Sequence, residues 1–198
     1  MKIRLFPSRP RLLVIFGLLL LVRPGLAAIP EPVRVEQGLV SGVAGESAGV
    51  RIFKGIPFAA APVGEFRWRA PQPPAPWAGV RAADRFSANC IQRAANGGAF
   101  PPYGGDRSAT TMSEDCLYLN VYVPRTAVQS RKPLRVFVWI HGGSLWVGQG
   151  SDYDPRKLAL DGEAVVVTLN YRLGMFGFFA HPAVDGEGHP FANYGQMD

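Results

Sequence analysis

The sequence predicts an α/β protein built on one mixed sheet, and three observations carry that prediction. Residues 136–140 (Val-Phe-Val-Trp-Ile) and 164–169 (Ala-Val-Val-Val-Thr-Leu) are unbroken runs of β-branched and apolar residues, the pattern of strands buried on both faces. Between them stands Asp154-Pro155, an acidic N-cap with proline at the first helical position. It predicts a short helix over 155–160 that ends near Gly162. Strand, helix, strand implies a crossover and parallel pairing. The third observation is the set of alternating segments at 33–43, 50–53 and 118–123, which read as antiparallel strands at one edge. A mixed sheet with helices on its faces follows, and 198 residues is the length of one domain.

Taken in order, the chain opens with what reads as a secretory signal peptide over residues 1–27. A basic start leads into the apolar run 12–22, then Pro24-Gly25-Leu26-Ala27-Ala28 supplies a small-residue cleavage site. The apolar run is too short to span a bilayer comfortably; the alternative is an uncleaved N-terminal anchor. No cysteine follows the cleavage site, which argues against a lipoprotein. The formal charge of +6 comes mostly from this segment, which holds Lys2, Arg4, Arg9, Arg11 and Arg23 and no acid. Without it 16 basic residues face 15 acidic ones, so nothing points to nucleic acid or to an anionic membrane. The mature domain is 28–198, exported to periplasm or medium and without a stable membrane anchor.

Residues 33–43 and 50–53 read as a pair of strands around the turn 42–49. That turn contains Gly45-Glu46-Ser47-Ala48-Gly49, a literal Gly-x-Ser-x-Gly. A nucleophile elbow needs a buried strand before the serine and a helix after it. Here strands stand on both sides, so Ser47 is read as a turn residue. Next comes a proline-dense stretch with Pro71, Pro73, Pro74 and Pro76, which excludes a long helix or a central strand. It reads as an irregular segment pinned by Phe66, Trp68 and Trp77.

Cys90 and Cys116 are the two cysteines. In an exported chain an even count reads as a disulfide, closing a loop worth about 3–4 kcal/mol by chain entropy. That loop would tether a lid or a wall of a site. A zinc site or a thiol nucleophile finds little support in the spacing or the histidine context. A turn at 113–117 then leads to the strand that ends at Pro124, and 128–133 reads as a polar hairpin connection into the strand 134–140.

That strand stops at His141-Gly142-Gly143-Ser144. Two glycines let the backbone turn sharply and let another group approach its N–H donors. Donors so held can bind the oxyanion that develops in acyl transfer. A His-Gly-Gly loop after a buried strand is one half of such a hole in esterases and lipases; the competing reading is a tight turn without chemistry. His141 is read as a turn-former, and His181 and His189 as loop residues. No spacing suggests a metal or a cofactor.

Four blocks together resemble the type-B carboxylesterase family, which includes carboxylesterases and cholinesterases. They are residues 53–59 with Pro62-Val63-Gly64, then Glu114-Asp115-Cys116-Leu117-Tyr118-Leu119-Asn120-Val121, then 139–144, then Asn170-Tyr171-Arg172-Leu173-Gly174 with Phe176-Gly177-Phe178. The resemblance implies the N-terminal part of an α/β-hydrolase fold: antiparallel edge strands leading into a mainly parallel sheet with helices on both faces. It implies hydrolysis of a small-molecule carboxylic ester by a serine alkoxide, a histidine base and an acidic orienting residue. Carried over residue by residue, Gly143 and Ser144 match the oxyanion donors, Gly142 the turn before them, and Cys90 with Cys116 the family's first disulfide. The triad of Ser, Glu or Asp, and His is expected beyond Asp198, so no catalytic residue falls among these 198. Cholinesterases place a tryptophan inside the first disulfide loop; residues 91–115 hold Phe100 and Tyr103 but no tryptophan, which argues against a choline ester. The alternatives are a catalytically dead binding protein on the same fold and an inactive truncated product.

Overall fold

The computed structural model describes residues 31–43, 49–92, 111–129, 133–184 and 193–198. The signal-peptide segment, the Ser47 turn, His189 and most of the loop between the cysteines lie outside the described residues. The strands are β1 (Val33–Val35), β2 (Gly38–Ser41), β3 (Val50–Pro57), β4 (Val80–Ala82), β5 (Asn89–Cys90), β6 (Met112–Ser113), β7 (Tyr118–Pro124), β8 (Arg135–Ile140) and β9 (Ala164–Leu169). The helices are α1 (Thr126–Gln129), α2 (Arg156–Asp161), α3 (Gly174–Gly177) and α4 (Tyr194–Met197).

The main sheet has the order β3-β7-β9-β8. β3 with β7 and β7 with β9 are antiparallel, and β8 with β9 is parallel in the register Arg135↔Ala164 to Ile140↔Leu169. The strand-helix-strand unit therefore pairs as expected. Two connections differ from the expectation. Residues 33–43 break at the Glu36-Gln37 turn into β1 and β2, which pair with each other, and β2 then pairs parallel to β4. β3 takes β7 as its partner instead, and one hydrogen bond from Val43 N–H to Ile52 O at 2.8 Å ties it to the end of β2. The reason is burial: β3, an edge strand of the main sheet, carries apolar residues on both faces, Val50 and Ile52 on one and Phe53 and Ile56 on the other, and beside β7 the first pair packs against α2 and the second against Val40 of β2. The second difference is that β7 and β8 do not form a hairpin, because β9 lies between them. One helical turn, α1, opens that connection.

Alternation along the strands gives the sheet two covered faces. On one, Val50, Ile52, Tyr122 and Val166 pack against Ala159 of α2. α2 starts at Arg156, one residue later than expected, so Pro155 and not Asp154 is the N-cap and no side chain caps the helix; Asp154 Oδ1, just before it, accepts the Arg156 N–H at 3.1 Å. On the other face, Phe53 and Ile56 pack with Val40 of the small sheet and Ala83 just after β4, backed by Leu119, Val121 and Val123. Of the proline segment's expected pins, Trp77 donates to Leu39 O at 2.8 Å and Trp68 to Met175 O at 2.9 Å. Phe66 is 40% exposed and pins nothing in this way.

β8 overturns a third expectation. All six of its residues are exposed, Ile140 to 68%. The apolar run does mark a strand, but among the described residues the strand lies at the sheet edge, with β9 its single partner. An apolar pattern records what a strand can tolerate; it does not supply the neighbour. Among the described residues no helix is long and apolar enough to cross a membrane.

Candidate oxyanion turn

The third core cluster, at the end of the sheet, joins Ala59, Cys90, Cys116, Leu117, Tyr171 and Leu173. It supports the loop that leaves β8. His141, 2% exposed, anchors that loop. Its ring stacks on Tyr171 with centroids 4.4 Å apart, and the Tyr171 hydroxyl donates to His141 O at 2.9 Å. His141 Nδ1 lies 2.8 Å from Gly142 O, which makes Nδ1 the protonated nitrogen, since a carbonyl only accepts. Burial pushes the imidazole pKa down, against the opposing effects of the Gly142 carbonyl and the Asp152 charge. His141 is therefore a neutral packing anchor, more than the turn-former expected.

The turn itself lies one residue further on than expected. Gly143 has φ of 125°, Ser144 56° and Leu145 65°, three successive residues in the region that side chains avoid. Such strain persists only where the surroundings enforce it, and it concentrates at functional sites. Gly143 is obligatory: a Cβ there would sit 1.7 Å from Val147 O. Its carbonyl accepts the N–H groups of Trp146 and Val147 at 3.0 and 3.2 Å. Gly142, by contrast, does not have a positive φ, and a Cβ on it would meet nothing within 4 Å. The turn is thus made by Gly143, Ser144 and Leu145, and Gly142 keeps open the space in front of it. Among the described residues, no acceptor takes the N–H of Gly143 or of Ser144.

Several groups that sequence reasoning did not single out hold this turn or the segments that flank it. Gly174 N–H donates to Leu145 O at 2.8 Å. Asn170 Oδ1 accepts from Gly150 N–H at 2.9 Å while its Nδ2 donates to Ala88 O at 3.2 Å. Arg172, 3% exposed, donates through its backbone N–H and its guanidinium to Asp198 and reaches Arg69 O at 2.9 Å. Gln92 bonds Gly148. The Asn-Tyr-Arg-Leu-Gly block was the available signal for three of these; nothing in the sequence marked Gln92 or Asp198. Cys90 and Cys116 form the disulfide, with Cα atoms 5.0 Å apart.

Beside Ser144 runs an open apolar groove of about 200 Å³, lined by Leu145, Trp146, Met175, Phe178 and Phe179. Trp146 and Met175 are more than half exposed along it. Among the described residues, no serine hydroxyl is hydrogen-bonded to a histidine. His141 Nε2 is buried without a partner, and Nδ1 of the exposed His181 accepts the Ala183 N–H. No cluster of three potential metal ligands occurs among them either.

The model of the carboxylesterase family matches residues 30–198. This chain belongs to the carboxylesterase family. Among curated relatives of this carboxylesterase-family chain, it is 45% identical over 174 residues to the fumonisin B1 esterase of Sphingopyxis macrogoltabida, covering 85% of this chain and 30% of that protein. It is 43% identical over 164 residues to the acylcarnitine hydrolase of Mus musculus, covering 82% and 28%. Among solved structures, a thermophilic PNB esterase superposes with a TM-score of 0.69 at 41% identity, covering 81% of this chain and 31% of that one. A carboxylesterase from Geobacillus stearothermophilus gives 0.67 at 38%, covering 82% and 30%. These neighbours have the α/β-hydrolase fold, and the mixed sheet here is part of it. The carboxylesterase-family chain spans about a third of the length of the relatives it matches.

Proposed function

We propose that this chain carries half of the oxyanion hole of an exported carboxylic ester hydrolase that works through an acyl-serine intermediate. In that reading the Gly143 and Ser144 N–H groups donate to the oxygen of the tetrahedral intermediate, where charge develops and donors fixed in advance act most strongly. Gly142 leaves room for the approaching carbonyl, and the groove beside Trp146 receives apolar substituents of a small-molecule ester. The serine, histidine and acidic residue are supplied from outside these residues, and no cofactor is required. The observation that carries the proposal is a pair of N–H groups that no acceptor among the described residues takes, on a turn held at positive φ through three residues. The disulfide and the basic-apolar start of the sequence support export.

The full natural protein is expected to hydrolyse p-nitrophenyl butyrate and to be labelled by a fluorophosphonate. Gly142→Ala, whose methyl meets nothing in the folded chain, is expected to melt like wild type yet lose on the order of a hundredfold in kcat/KM, because it displaces the reacting carbonyl. Neither labelling nor hydrolysis by wild type, or full activity in Gly142→Ala, contradicts the reading.

A further inference from the structure

We propose that Gln92 is a positioning residue for the oxyanion turn, coupling the disulfide anchor to the strained residues 143–145; this rests on the ester-hydrolase reading above. Gly148 is where the loop turns back past His141. Its φ is 116°, and a Cβ would lie 2.5 Å from His141 Nδ1, so the backbone passes directly over the imidazole. Gly148 lies in no strand, and Gln92 fills both of its backbone bonds. The Gly148 N–H donates to Gln92 Oε1 at 2.8 Å, and Gln92 Nε2 donates to Gly148 O at 3.0 Å. The side-chain amide thus presents to Gly148 the same acceptor-donor pair that a neighbouring strand would present. The second amide hydrogen is also used, in a bond from Nε2 to Cys90 O at 3.2 Å. Turning the amide over would place Nε2 against an N–H and Oε1 against two carbonyls, so the partners fix its orientation.

The placement gives this clamp its consequence. Gln92 sits two residues after Cys90, which is held to Cys116 by the disulfide and to β6 by strand pairing. Gly148 follows Val147, whose N–H closes the turn on Gly143 O and whose carbonyl lies against Gly143 Cα so closely that a Cβ there would meet it. Gly148 is thus one covalent step from the group that holds Gly143. The incoming limb of the loop is held by His141 on Tyr171, the middle by the Gly174 N–H on Leu145 O, and the outgoing limb by Gln92. Without Gln92, Gly148 loses both backbone partners and the turn is free to relax toward ordinary φ values, which re-aims the Gly143 and Ser144 N–H groups.

The test uses the full natural protein with Gln92→Met, which keeps the length and apolar stem of the side chain but has no amide. Hydrogen exchange of the Gly148, Trp146 and Val147 amides is followed with steady-state hydrolysis of p-nitrophenyl butyrate and inhibition by an alkyl trifluoromethyl ketone, whose hemiketal oxygen mimics the oxyanion. Faster exchange at all three amides is expected, with kcat down about tenfold or more and KM within about twofold. Ketone affinity is expected to fall by the same factor as kcat, a correspondence that a merely structural role would not produce. Gln92→Glu, which keeps an acceptor for the Gly148 N–H and has no donor for its carbonyl, is expected to fall between the two and serves if Gln92→Met does not fold. Unchanged exchange, or faster exchange with kcat and ketone affinity within about twofold of wild type, overturns the proposal. A wild-type protein without esterase activity rejects the ester-hydrolase reading instead. Exchange at Trp146 and Val147 then decides alone whether Gln92 holds the turn.

Discussion

Gly142 and Gly143 are adjacent and chemically identical, and the fold uses them for different ends. Gly143 is required by the chain itself, since any side chain would strike Val147 O; Gly142 is required by nothing the described residues contain. On the proposed reading, a glycine that no described residue requires, in front of two N–H groups that no described acceptor takes, is where a ligand oxygen would sit. His141 behind them stays neutral because burial disfavours its charged form. Its folded pKa lies below the unfolded value, so its contribution is neutral above about pH 6.5. Stability is lost as pH falls from there toward the folded pKa. Denaturant melts of the natural protein from about pH 7.5 down to about pH 5 are expected to show this loss, and His141→Phe, which keeps an aromatic ring against Tyr171, to show less of it. Parallel curves for the two proteins would contradict the assignment.

At the scale of elements, much of the sheet was legible. β7 and β9 begin and end where alternation, Pro124 and the apolar run place them, because those signals are local. What failed needed knowledge of neighbours. The segment 33–43 reads as one strand until Glu36-Gln37 turns it back on itself, and its pairing with β4 across forty residues leaves no mark on either segment. β8 reads as doubly buried because its residues would suit that place, yet the sheet ends with it. The candidate turn was legible where it is local, at the glycine loop that ends β8, and illegible where it depends on distant side chains such as Gln92 and Asp198. Asp198 also yields a prediction: it is buried against Arg172, which ties the residues after β9 to α4 and to Arg69 O. Asp198→Asn leaves the guanidinium buried and without its anion, and is expected to destabilise the natural protein by about 3–5 kcal/mol, read as a shift in urea midpoint. A shift under about 1 kcal/mol would show that the pair is replaceable.

At the scale of the molecule, β8 leaves an apolar edge open among the described residues. An edge strand that shows Val136, Phe137, Val138, Trp139 and Ile140 to solvent on both faces has open backbone groups beside an apolar surface, the combination that drives strands of separate chains together. Residues 28–198 produced alone are therefore expected to be aggregated or chaperone-bound; a monomer that melts cooperatively would contradict this. Two backbone N–H groups are the heart of the proposed site, and NMR can observe them one by one. In the natural protein with ¹⁵N-labelled glycine and serine, the amide proton resonances of Gly143 and Ser144 are followed on adding an alkyl trifluoromethyl ketone. Both are expected to move downfield as they take up the charged oxygen, while the Gly148 amide, already bonded to Gln92, stays in place. Resonances of Gly143 and Ser144 that do not move when the inhibitor is bound would show that this turn is not the oxyanion hole.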